Sequence, residues 1–98
     1  MTAAVWTIRQ PVTGAQQPDM ASDVQNHPLG TRMNAVNAGV EFRLIYGKAS
    51  AALAANAAAS FDQATGLIAA GTASAVDGNI IPAVNLNQFA WMKITSEV

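Results

Sequence analysis

The clearest pattern in the chain is the run Gly39-Val40-Glu41-Phe42-Arg43-Leu44-Ile45-Tyr46-Gly47. Val40, Phe42, Leu44 and Tyr46 share one side of a period of two, Glu41, Arg43 and Ile45 share the other, and glycines bound the run. That predicts a strand. The stretch Phe89-Ala90-Trp91-Met92-Lys93-Ile94 also suits a strand, but it is apolar on both faces, with Phe89 and Trp91 on one and Ala90, Met92 and Ile94 on the other. A chain of 98 residues has a single core. The second face therefore needs a cover, either a sister subunit or a short helix lying on a closed barrel. Between these two runs, Gly66, Gly71, Asp77-Gly78 and Pro82 punctuate short apolar segments. They predict strands over 67–70, 73–76, 80–84 and 88–95, a turn closing at Gly66, and a hairpin turn at Asp77-Gly78. Residues 50–59 stay open between a short helix and irregular chain. Alanine is the best helix former, yet Leu53 is the only large apolar side chain there to anchor a helix. The pattern predicts an all-β fold, a small antiparallel sandwich or barrel over residues 37–98 that includes at most one short helix around 50–59.

Residues 1–36 read differently. The stretch "RQPVTGAQQPDMASDVQNHPLGT" holds three prolines and scattered Gln, Asn, Asp and Ser, without helical period or sustained alternation. Proline drives the residue before it towards extended conformations, so the segment predicts an extended N-terminal arm. Such an arm either wraps on its own domain or docks on neighbouring subunits. Trp6, between Val5 and Ile8, is a candidate anchor into a pocket, or else a cap on its own sheet.

Composition narrows the function. Hydrophobic residues make up 51% of the chain, but 21 of the residues are alanine, so the core is light for its length. Only 11% are charged, five basic against six acidic, and the surface is therefore largely neutral. No basic patch suits nucleic acid, and no polybasic segment suits a membrane. No apolar window is long enough to span a bilayer, and the N-terminus lacks the pattern of a secretory leader. There is no cysteine, and His27 is the only histidine. A metal site or a nucleophilic triad would have to be built on that one ring, which reads as an exposed histidine before proline in a loop. No cofactor motif is present, and an enzyme is not expected.

The order Leu29-Gly30, Gly39-Val40-Glu41-Phe42, Tyr46, the apolar run from Ile80 to Val84, and Phe89-Ala90-Trp91-Met92-Lys93-Ile94 resembles the head decoration, or cement, proteins of tailed bacteriophages. The likeness covers residues 28–95. Ala90 stands where related sequences often have glycine, the glycine that commonly follows the last strand is missing, and residues 1–27 have no counterpart. The resemblance implies a non-enzymatic virion protein on the outer surface of the expanded capsid, often trimeric, bridging major capsid protein subunits. It implies no cofactor. On that reading the arm contacts the capsid through Trp6, Ile8, Arg9, Leu29 and Arg32, while Ala90, Met92 and Ile94 meet a sister subunit. Two other readings remain: a tail or head–tail joining component, and a glycan-binding β-module with Trp91 and Tyr46 as an exposed stacking platform.

Overall fold

The computed structural model describes the backbone of residues 6–8 and the chain over 20–37, 39–71 and 75–97. Seven strands follow in order: β1 (Trp6–Ile8), β2 (Arg32–Asn37), β3 (Val40–Ala49), β4 (Ala58–Phe61), β5 (Leu67–Ala70), β6 (Val76–Ile80) and β7 (Phe89–Glu97). β3 pairs with β7 on one edge and with β5 on the other, and β5, β4, β6 and β7 pair in turn. The ring closes into a five-stranded barrel. Closure removes the free edges that a small open sheet would expose. The first half of β3 also pairs with β2, which in turn carries β1, so the sheet continues beyond the ring.

The fold is all-β, as the sequence predicts, but the sheet is mixed. β3 and β5 run parallel, with Lys48 opposite Leu67 and Ala49 opposite Ile68. The predicted strands at 67–70 and 88–95 correspond to β5 and β7. The turn at Gly66 is also present. Gly66 N–H donates to the Asp62 carbonyl at 2.7 Å, the Asp62 carboxylate accepts from Ala64 N–H, and φ of Gly66 is +76°. A side chain there would be strained, and its Cβ would fall 2.7 Å from that of Leu29.

One point left open by the sequence is decided, and two expectations are corrected. No helix forms among the described residues, and 50–57 is irregular chain held by a bridge between Leu53 and Val84, whose two backbone hydrogen bonds are each 2.9 Å. Leu53 sinks into the core through this pairing, and tertiary burial outweighs alanine's helix propensity. Asp77-Gly78 is no turn, because both residues lie inside β6. The register there passes from Asp77 opposite Ser96 to Gly78 opposite Ile94, leaving Thr95 as the extra residue of a bulge. A Cβ on Gly78 would sit 1.7 Å from the Lys93 carbonyl oxygen, so glycine marks a close backbone approach. The predicted strand at 80–84 ends at Ile80 and survives beyond it only as the Val84 bridge, while 73–76 lies partly outside the described residues and begins as strand at Val76.

The core has two layers. Inside the barrel, Ile45, Ala49, Leu53, Phe61, Ile68, Val76, Ile80, Ala90, Met92 and Ile94 pack together. On the outer face of β3 and β7, Leu44, Tyr46 and Trp91 pack with Met33 and Ala35 of β2 and with Ile81. Each large side chain so buried contributes about 1.5–3 kcal/mol relative to exposure. Over 44–46 of β3 and 90–92 of β7, both faces are thus packed by this chain alone. The boundary expected at residue 36 therefore falls inside the β2–β3 hairpin. Residues 32–37 belong to the sheet, with Met33 and Ala35 almost fully buried.

Candidate interaction surface

The cover on the second face of β7 is a strap, residues 20–31. Ser22 exchanges two backbone hydrogen bonds with Phe89, at 3.0 and 2.7 Å. Asn26 N–H donates to the Tyr46 hydroxyl at 3.1 Å, and Gly30 N–H donates to the Tyr46 carbonyl at 2.8 Å. His27 stands between two rings, with centroid distances of 5.0 Å to Tyr46 and 5.4 Å to Trp91. It is buried, not an exposed loop histidine, with 5% of its surface accessible. Burial holds the His27 pKa below its ordinary value, since a charged ring would lose its water. Burial also raises the Tyr46 pKa, and hydrogen bonding from Asn26 offsets part of that rise.

The sequence-expected residues now have places. Ala90, Met92 and Ile94 point into the barrel core and are 7% exposed or less, so they do not form an oligomer interface. That expectation is corrected: ring closure gives their face a partner within the chain. Trp6 and Ile8 lie in β1, whose backbone pairs with β2, Trp6 opposite Asn37 and Ile8 opposite Ala35. Arg9 lies outside the described residues. Leu29 and Arg32 come together at a groove of about 370 Å³ between the end of the strap and the β4–β5 turn, floored by Ile45 and Phe61 and rimmed by Gln63 and Thr65. Arg32 is held there by Glu97, which also accepts from Arg43 at 3.1 Å. The Arg32 guanidinium and, less strongly, Arg43 lower the Glu97 pKa. Trp91 and Tyr46 are fully buried beneath the strap, so the stacking platform on which a glycan-binding module would rest is not available.

A surface that sequence reasoning missed lies at the other end of the barrel. Three segments meet there: the strap at Ser22–Phe89, the loop after β3 through bonds of Ala49 with Gln88 and Asn87, and the β6–β7 loop through Leu53–Val84. Met20, Val24 and Leu86 each expose more than half of their surface around this junction. Ser50, Ala51, Ala52, Ala54, Ala55, Asn85 and Asn87 are exposed beside them. Over residues 20–27, 49–58 and 83–89 the only ionisable side chains are Asp23 and His27. Asp23 accepts from the Gln88 amide at 3.0 Å, and His27 is buried. Lys48 of β3 stands at the edge of this surface, opposite Phe89 with its ammonium 5.8 Å from that ring, while Arg32, Glu41, Arg43, Asp77 and Glu97 lie on the paired stretches of β2, β3, β6 and β7 away from it. The one sequence signal for the neutral end is the unbroken absence of charge from 49 to 61.

Among the described residues no group of three or more His, Asp or Glu side chains could hold a metal ion. No protein-family model, no curated protein and no solved structure matches the chain.

Proposed function

We propose that this chain is a structural virion protein of a tailed bacteriophage, a decoration or cement protein that binds the outer surface of the expanded head and bridges major capsid protein subunits without catalysing a reaction. The observation that supports this best is the neutral end of the barrel. Val24 and Leu86 project there from an apron of alanine and asparagine that carries one carboxylate, itself hydrogen-bonded, with Lys48 at its edge over the Phe89 ring. Interface centres are depleted in charge, and a contact poor in ions lowers the cost of desolvating them. The sequence likeness over residues 28–95 points the same way. Self-association, as a trimer, uses surface outside the barrel core.

The test is co-sedimentation of the purified protein with expanded capsids that lack it. Saturable binding at a fixed ratio to the capsid subunit is expected. Val24→Asp with Leu86→Asp should weaken that binding about tenfold or more, the effect of losing at least ~1.4 kcal/mol at the contact, while the fold is kept. Absence of binding by the folded wild-type protein would discard the reading and favour a ring-forming tail or head–tail component. Undiminished binding by the double variant would move the contact elsewhere on the molecule.

A further inference from the structure

We propose that His27 is a pH-sensitive latch: protonation of its ring releases the strap, residues 20–31, from the outer face of the barrel and uncovers Tyr46 and Trp91. This inference is independent of any role at a capsid, because it concerns only how the strap is fastened.

The geometry makes the latch depend on one ring. Along 20–31 every side chain except His27 is half-buried or exposed, so the middle of the strap is held by His27 and by hydrogen bonds to Tyr46. The ring sits edge-on to Tyr46, with 89° between planes, and tilted to Trp91 at 50°. Its own carbonyl accepts from the Gln25 side chain at 2.9 Å, which stiffens the backbone at that point. Charging an imidazole among these rings removes a cation from water, a cost that contact with aromatic faces offsets only in part. Burial alone accounts for the lowered His27 pKa, and the charged groups on the neighbouring elements stand over other rings. β3 contributes Lys48, 5.8 Å from the Phe89 ring, and β7 contributes Lys93, 4.7 Å from the Phe42 ring. Both lie on the outer face that carries Tyr46 and Trp91, and both are cationic. Tyr46, the titratable group in direct contact, is neutral over this range as an ordinary tyrosine is, and burial raises its pKa further. The strap itself contributes Asp23, which is engaged by Gln88.

The sign follows from linkage. A histidine whose folded pKa lies below its ordinary value, about 6.5, favours the docked strap fully above that value. The contribution fades as pH falls through 6.5 towards the lowered pKa, because the released ring takes up a proton more readily than the docked one. The strap is therefore closed at neutral pH and loosens in mild acid, the range in which histidine alone among unperturbed side chains changes charge.

The experiment is an NMR titration of the full chain from about pH 7.5 to pH 5, reading the His27 ring shift and amide protection factors corrected for intrinsic exchange. The expected result is a His27 pKa below 6.5, with protection at the Ser22, Asn26 and Gly30 amides falling by up to about tenfold for each pH unit between the two pKa values. The Leu53 and Val84 amides, which report on the barrel, should hold. His27→Phe keeps an aromatic ring in the slot and removes its titration, so strap protection in that variant should become independent of pH over the same range. A His27 pKa at or above 6.5 with a constant strap would overturn the proposal. So would loss of strap and barrel amides in step, which would mean that acid melts the whole fold. Equal pH dependence in wild type and His27→Phe would place the sensitive group on a carboxylate instead.

Discussion

At the scale of single residues, the structure turns on positions whose chemistry is plain but whose neighbours are remote in sequence. Gly78 is one. It reads as the second residue of a hairpin turn, yet it faces the Lys93 carbonyl across the β6–β7 ladder so closely that a Cβ would overlap the oxygen. Gly78→Ala therefore has to push apart two backbones at the Thr95 bulge. It should lower unfolding free energy by about 2–4 kcal/mol in denaturant titration, where an exposed turn glycine would cost far less. His27 is the other. A lone histidine before proline in a polar segment gives no local sign that it is buried, because its partners Tyr46 and Trp91 lie nearly twenty and more than sixty positions away.

At the scale of elements, legibility followed apolar periodicity. β3, β5 and β7 were readable because bulky side chains alternate or cluster and glycines bound them. β2 was hidden in Arg32-Met33-Asn34-Ala35-Val36-Asn37, where the inward positions are one methionine and one small alanine and Val36 has the opposite parity. β4 was hidden for a similar reason: its buried residues are Ala59 and Phe61, inside a run of alanines that favours helix when taken alone. The end of β7 is fastened to β2 and β3 electrostatically, through Glu97 with Arg32 and Arg43. The folded Glu97 pKa is lowered from 4.5, so this attachment is complete above the ordinary carboxylate value and is lost as pH falls through the lowered one. Glu97→Gln should fray the Val76–Glu97 pairing at neutral pH as acid does in the wild type, read as faster exchange of the amides near the β7 terminus with the Leu53–Val84 bridge unaffected.

At the scale of the whole molecule, the segment expected to be a detachable arm is in part structural. Deleting residues 1–31 would remove the strap and expose the sides of Tyr46 and Trp91 that His27 covers, leaving their packing with Met33, Ala35 and Ile81. The truncated chain should bind a hydrophobic dye and lose most of its cooperative thermal transition, and an unchanged transition would show that the barrel stands without its cover. Local pattern alone determined the all-β class, the two main strands, the Gly66 turn and the scarcity of charge, since each depends on side-chain period or count within a few residues. The tertiary structure decided the rest: that β7's second face is covered by the chain's own strap, that Ala90, Met92 and Ile94 point inward, that the alanine run is not helical, and that the uncharged residues of three separate segments gather at one end of the barrel. Those outcomes depend on ring closure, which sets the free energy of burying remote segments against one another above any preference a short window of sequence expresses.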